Sequence, residues 1–289
     1  MLVAAFATLL LASLSPPTLA QDASALQARH AALRGRLADN QFGRPLVLES
    51  SQSQGDLTGD VYTVIEHPFA VVQQALATKE QWCEILILHL NVKGCIAKHG
   101  DKTLLLEVGR KFDQPVSDTY KLPFDFRVAT STAEYLQIRL SCEEGPLGTR
   151  DYRIHLEVIP LDANRSFVHM SYAYGYGLPA RLAMQTYLAT IGRDKVGFTI
   201  VDRQGGKPNY LGGVLGLLER NTMRYYLAIE AYLGAYSLPA GQQVEKRIHD
   251  WYASTERYAR QLHEMDEADY LEMKRKEIRR QRQPRAAAS

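Results

Sequence analysis

Between residues 92 and 176 the chain alternates apolar and polar residues with period two, in six runs separated by turn formers. Nothing else in the sequence limits the fold as strongly, because successive side chains of a strand point to opposite faces and a helix has no use for that period. The runs cover 92–99, 102–112, 119–130, 134–143, 149–161 and 165–176. The breaks are Gly100-Asp101, Asp113-Gln114-Pro115, Ser131-Thr132, Gly145-Pro146-Leu147-Gly148 and Asp162-Ala163-Asn164. Such short connections predict an antiparallel meander. One parity carries Leu104, Leu106 and Val108, then Tyr120, Leu122, Phe124, Phe126 and Val128, then Leu136, Ile138, Leu140 and Cys142. It continues with Tyr152, Ile154, Leu156 and Val158, then Val168, Met170, Tyr172 and Tyr174. The other parity carries Lys121, Asp125, Arg127, Gln137, Arg139, Arg153, His155 and Glu157, the pattern of a sheet wet on one side.

The flanks are helical or mixed. Residues 22–40 read as a helix with Asp22 or Ser24 as N-cap, Leu26, His30, Leu33 and Leu37 on one face, and Asn40 at its end. The β-rich runs 45–49 and 59–66 lie on either side of the polar stretch 50–56 and read as a hairpin with a long loop. Pro68 stands where a helix begins, with Phe69, Val72 and Leu76 at helical spacing. Thr78-x-x-Gln81 is a capping box that opens a second short helix, 79–89, with Trp82, Ile85, Leu86 and His89 on one face. After Gly177-Leu178-Pro179, helical patterns cover 180–191, 211–236 and a long run from Gln242. In that run Val244, Ile248, Trp251, Thr255, Tyr258, Leu262 and Met265 alternate four and three apart. Two readings fit this seam: an amphipathic helix lying on the body, or a homodimer interface through 244–265.

With 289 residues, 46% hydrophobic and 23% charged, the chain has the profile of a folded domain rather than a disordered one. A net charge of +2 leaves no footprint for nucleic acid, and none is expected as a partner. Leu2 to Leu14 form an apolar run ahead of Pro16, Pro17 and Thr18-Leu19-Ala20, which reads as a cleaved signal peptide over 1–20, with an uncleaved anchor as the other reading. Export, to the periplasm in a Gram-negative cell, would put Cys83, Cys95 and Cys142 in an oxidising space. Cys83–Cys95 is the favoured pair, worth about 3 kcal/mol by loop closure. Three buried thiols, or a metal held with His89 between the two cysteines, are the other readings of the same spacing.

The order strand, two short helices opening on a proline, six further strands and a long apolar helix resembles the START-like superfamily (helix-grip, Bet v 1-like, polyketide cyclase and lipid-transfer relatives). Its most specific stretch runs from Val61-Tyr62-Thr63-Val64-Ile65-Glu66-His67-Pro68 through Leu76 to Trp82. The resemblance covers 59–236 and implies an α+β helix-grip fold, an antiparallel curved sheet of about seven strands wrapped on the helix 211–236. The chain divides accordingly into 1–20, an N-terminal helix and β segment 21–58, the helix-grip domain 59–236, and a C-terminal amphipathic helix with a basic tail, 237–289. The family's use of its cavity implies an apolar small molecule or lipid as partner, carried or sensed. The expected lining is Arg110, Phe124, Phe126, Ile138, Leu140, Ile154, Leu156, Met170, Tyr172 and Tyr174 from the sheet, with Leu218, Tyr225 and Ile229 from the helix. Gly212, Gly213 and Gly216 at its start suggest close packing or a mobile entrance.

Chemistry-bearing residues are few. Arg110 continues the inner parity of Leu104, Leu106 and Val108; it holds a ligand anion, or it lies at the strand end and reaches water or Asp113. Tyr172, Tyr174 and Tyr176 either orient a ligand or fill the core. No G-x-S-x-G, H-E-x-x-H or phosphate-loop motif is present, so no catalytic residue, metal or cofactor is assigned. The tail 274–285, from Lys274 to Arg285, has seven basic residues against Glu277 and reads as a solvated helix end or as a dock for an anionic membrane surface. Beside the carrier reading stand two others: an envelope assembly module whose core is filled by its own side chains, and a cyclase-type enzyme.

Overall fold

All six alternating runs form strands in the computed structural model, which describes residues 18–283 apart from Gln54, His99 and Ile191. The start of the expected signal, 1–17, lies outside the described residues. The strands are β3 (Val92–Ala97), β4 (Thr103–Val108), β5 (Tyr120–Ser131), β6 (Leu136–Glu144), β7 (Thr149–Pro160) and β8 (Ser166–Tyr176), after β1 (Leu46–Ser53) and β2 (Asp56–Ile65). They make one eight-stranded antiparallel sheet in the order β1-β2-β8-β7-β6-β5-β4-β3. The stretch 50–53, expected as loop, instead extends β1, whose Ser53 pairs with Asp56 across a tight turn. Gly55 makes that turn possible with φ +91°, a conformation costly for any residue with a Cβ. The sheet therefore has eight strands where about seven were expected, and it begins at Leu46, ahead of the expected boundary at 59.

Between β2 and β3 the chain forms α2 (Phe69–Leu76) and α3 (Lys79–Leu86). The capping box is present in full: Thr78 Oγ1 accepts from Gln81 N, and Gln81 Oε1 accepts from Thr78 N. Trp82 is buried and its Nε1 donates to Leu76 O at 3.0 Å, which locks the two helices together. A disulfide joins Cys83 of α3 to Cys95 of β3, and Cys142 is a buried free thiol. Among the described residues no cluster of ligands that could hold a metal is found.

α5 (Gly213–Ala235) lies along the concave face as the gripped helix, with Leu218, Leu227, Ala228 and Ile229 buried against it. Bulges in the pairings of β3 with β4, β5 with β6, and β7 with β8 bend the sheet around it. The β5 bulge also corrects one expectation. Register shifts after Val128, which still pairs with the inner-face Ile138 but is 37% exposed, and Thr130 then pairs with Gln137 of the opposite face and is buried. Tyr120, at the other end of β5, is likewise exposed. Before α5, α4 (Leu178–Ala189) is followed by a small hairpin, β9 (Ile200–Gln204) with β10 (Lys207–Tyr210). Two contacts at the start of α5 need glycine: a Cβ on Gly216 would lie 2.5 Å from Leu211 O, and one on Gly197 would lie 2.9 Å from the Gly216 Cα.

The outer face is covered in part. α1 (Thr18–Ala38) lays Leu26, Leu33 and Leu37 on Val47, Tyr62, Tyr135, Ile159 and Phe167, a second and smaller core. Asn40 ends the helix as expected, donating to Arg36 O and Leu37 O.

The C-terminal helices are α6 (Ala240–Glu256), α7 (Ala259–Leu262) and α8 (Glu267–Arg282). The heptad seam faces inward: Ile248, Trp251, Thr255 and Leu262 are buried, and Trp251 stacks on Tyr270 of α8 at 4.9 Å. The pattern therefore builds an intramolecular layer on α5 and does not present a homodimer surface. The main core takes in Leu46 and continues to Ile278, so 21–58 and 237–289 share it with the expected central domain.

The tail is also used internally. Lys274 and Lys93 flank Glu277 at 2.7 and 3.1 Å, all three with no solvent exposure. Lys274 Nζ donates further to His89 O and Val92 O. Gln281 Oε1 accepts from Cys95 N, Arg280 donates to Lys93 O, Arg275 pairs with Glu245, and Lys276 pairs with Asp113. α8 thus satisfies the open hydrogen-bonding groups of the edge strand β3. Four of the seven basic residues of the tail thus have partners within the chain, Arg279 and Arg282 are exposed, and Arg285 lies outside the described residues. No described helix is long and apolar enough to cross a membrane.

Candidate ligand-binding site

The strand period places every expected apolar lining residue of the sheet on the concave side. Phe124, Phe126, Ile138, Leu140, Ile154, Leu156, Met170, Tyr172 and Tyr174 are all buried in the main core, together with Leu218 and Ile229 of α5. Tyr225 is half-buried on the same face of α5, its ring 5.0 Å from Tyr172. Sheet and helix together bring five rings into one aromatic group: Tyr152 stacks on Tyr174 at 5.2 Å, Tyr172 lies 5.6 Å from Tyr174, and Phe124 meets Tyr152 edge-on at 6.4 Å. Burial holds the hydroxyls of Tyr172, Tyr174 and Tyr225 in the neutral, proton-donating form well above the ordinary tyrosine range.

His89 closes one side of this group. Its ring stacks on Tyr225 at 4.5 Å, and its Nδ1 accepts from Asn91 N at 3.1 Å, which puts the proton on Nε2. Nε2 is buried with no hydrogen-bond partner. Burial first, then the charges of Arg224, Lys274, Lys111 and Lys93, hold the ring well below the usual histidine range, so it is neutral.

Beyond His89 the interior turns ionic. Glu264, in the segment after α7, accepts from Lys111 at 2.5 Å, Lys195 at 2.6 Å, Arg224 at 2.9 Å and Arg220. The carboxylate is desolvated, but the four cations outweigh burial and hold it far below the usual range. Lys111 is brought down to about 8, chiefly by burial and then by the charge of Arg224. This knot fastens the C-terminal segment to α5 and to the loop after β4. The sequence shows Arg220 and Arg224 only as charges interrupting an apolar helix; such interruptions signal a buried partner elsewhere in the chain.

Arg110 is not in the lining. β4 ends at Val108, Gly109 turns the chain by donating to Asn91 O, and Arg110 is exposed with its N–H bonded to Gln114 Oε1. The alternation ends with the strand at Val108, and Lys111 is the cation of that loop that goes inward.

A cleft of about 710 Å³ lies where α4 meets the start of α5, lined by Tyr176, Gly177, Leu178, Arg181 and Val214 among others. Tyr176 and Val214 also pack on the main core. Leu178 and Leu182 of α4 and the nearby Leu147, which holds φ +59°, are exposed by 60% or more. The cleft is made by residues from five separate elements, β1, β7, β8, α4 and α5, of which the sequence marks only the glycines at the start of α5.

No family model matches the chain, and no curated protein does. Among solved structures it is similar to a conserved protein from Geobacillus kaustophilus, at 10% identity and a TM-score of 0.36, over 61% of this chain and 95% of that one. It is also similar to a START superfamily protein from Mycobacterium smegmatis, at 13% identity and a TM-score of 0.32, over 45% of this chain and 88% of that one. A third likeness is to truncated norcoclaurine synthase from Thalictrum flavum, at 14% identity and a TM-score of 0.33, over 50% and 90% of the two chains.

Proposed function

We propose that this protein binds a small apolar, lipid-like molecule between the concave face of the sheet and α5, as a carrier or sensor exported to the periplasm. The observation that supports the reading is the position of the cleft beside the core: Tyr176 and Val214 line the cleft and also pack on the main core, to which Tyr172 and Tyr174 belong. An apolar wall with a few hydroxyls is what orients such a ligand, and Tyr172, Tyr174 and Tyr225 supply the hydroxyls. The exposed leucines around the cleft offer an apolar path to it.

The test is native mass spectrometry of the full chain recovered from the periplasm, followed by organic extraction. The expected result is a co-purifying apolar mass that is lost in Val214→Trp, which fills the cleft. A chain that stays ligand-free after incubation with envelope lipids would overturn the reading in favour of a core filled by its own side chains.

A further inference from the structure

The outer face of the sheet carries a second concave feature. A groove of about 540 Å³ runs across β5 to β8, and three of its walls are arginines: Arg127, Arg139 and Arg153. Strand register sets them side by side. Arg127 is directly opposite Arg139, Arg139 is opposite His155, and Arg153, in the next row, is opposite Ser141. Like charges directly opposite on one face of a sheet repel and destabilise the pairing. Here the repulsion is only partly relieved. Asp125 pairs with Arg127 at 2.5 Å, while Arg139 donates to the neutral Gln137. No ion pair forms to Arg139 or Arg153 among the described residues. The acids nearest in the adjoining rows are engaged elsewhere: Glu157 and Asp60 both hold His169.

We propose that this groove binds a dianionic phosphomonoester, a site separate from the interior and independent of what the interior holds. Three guanidinium groups against one carboxylate leave an excess of two positive charges, which matches one phosphate dianion, and guanidinium forks suit its oxygens. Ser141 and Ser171 line the same groove with hydroxyl groups. So does His155, whose Nε2 is buried with no hydrogen-bond partner. α1 covers the neighbouring part of the outer face at Tyr62, Tyr135 and Phe167 and leaves the three arginines exposed. No exposed apolar side chain lines the groove, as a bilayer-docking face would require.

The test is calorimetric titration and thermal melting of the full chain with glycerol phosphate as the phosphomonoester probe, at constant ionic strength. Saturable binding is expected, weakened about tenfold by Arg139→Gln or Arg153→Gln. Arg165→Gln, on the turn before β8, should leave it unchanged. A second readout needs no ligand: relief of the cross-strand repulsion should make Arg139→Gln melt about a degree higher than the parent when ligand-free. Equal affinity for the probe in the parent and the Arg139→Gln, Arg153→Gln double variant would overturn the proposal. So would equal binding of sulfate, which would mark a general anion surface, or binding confined to phosphatidylglycerol vesicles, which would mark a membrane face.

Discussion

His169 shows how one side chain on the outer face is held between charges. Its Nδ1 meets Glu157 at 2.7 Å and its Nε2 meets Asp60 at 2.9 Å, with Tyr62 stacked on the ring at 4.4 Å. Burial opposes the charged ring, but the two carboxylates outweigh it and raise the histidine to about 9 from its ordinary 6.5. Glu157 is correspondingly lowered to about 2 from 4.5; burial again opposes, and the hydrogen bonds from His169 and Tyr135 win. The histidine's contribution is therefore complete below 6.5 and is lost as pH rises through about 9. The carboxylate's contribution is complete above 4.5 and is lost as pH falls towards about 2. His169→Gln should lower the melting temperature most at about pH 6, and the deficit should shrink by about pH 9.5. An unchanged deficit across that interval would mean the ring is neutral in the folded chain. The pairing needs three strands in register, Asp60 with Ser171 and Glu157 with His169, which no single segment of sequence discloses.

At the scale of elements, α8 is the clearest case of a segment whose role depends on its neighbour. Read alone, 274–285 is a basic run. Docked on β3, it provides Lys274 and Glu277 to a buried set with Lys93, and Gln281 to the free N–H of Cys95. Removing one member of such a set leaves a buried charge without its counterpart, which costs about 3 kcal/mol or more. Glu277→Gln should lower the urea midpoint accordingly, whereas Arg282→Gln, on the exposed side of the same helix, should leave it within error. If both variants unfold alike, the buried set is not what attaches α8. β5 supplies the converse lesson. Its alternation is legible from Leu122 to Phe126, but the bulge after Val128 reverses the parity, because an extra residue in one strand of a pair turns every later side chain to the other face.

At the scale of the whole molecule, the heptad seam of 244–265 is consumed inside the chain. Trp251 is 1% exposed, donates from Nε1 to Arg224 O at 3.1 Å, and stacks on Tyr270. Trp251→Ala should cost about 3–5 kcal/mol, read as a lower urea midpoint. The shift should be the same at protein concentrations about a hundredfold apart, since no second chain enters the equilibrium. A shift that depends on concentration would place the seam between chains.

The meander, its inner face, the capping box and the Cys83–Cys95 pair were legible in the sequence because each rests on local spacing, which the backbone repeats without reference to distant segments. Local pattern also indicated that 244–265 and 22–40 each have one apolar face. The tertiary structure alone decided what those faces cover, since an amphipathic stripe specifies burial but not its partner. It alone decided that β4 stops before Arg110, that Glu264 gathers Lys111, Lys195, Arg220 and Arg224, and that Arg127, Arg139 and Arg153 wall one groove. Those arrangements depend on strand register and on contacts between residues far apart in the chain, whose energies appear only when the segments meet.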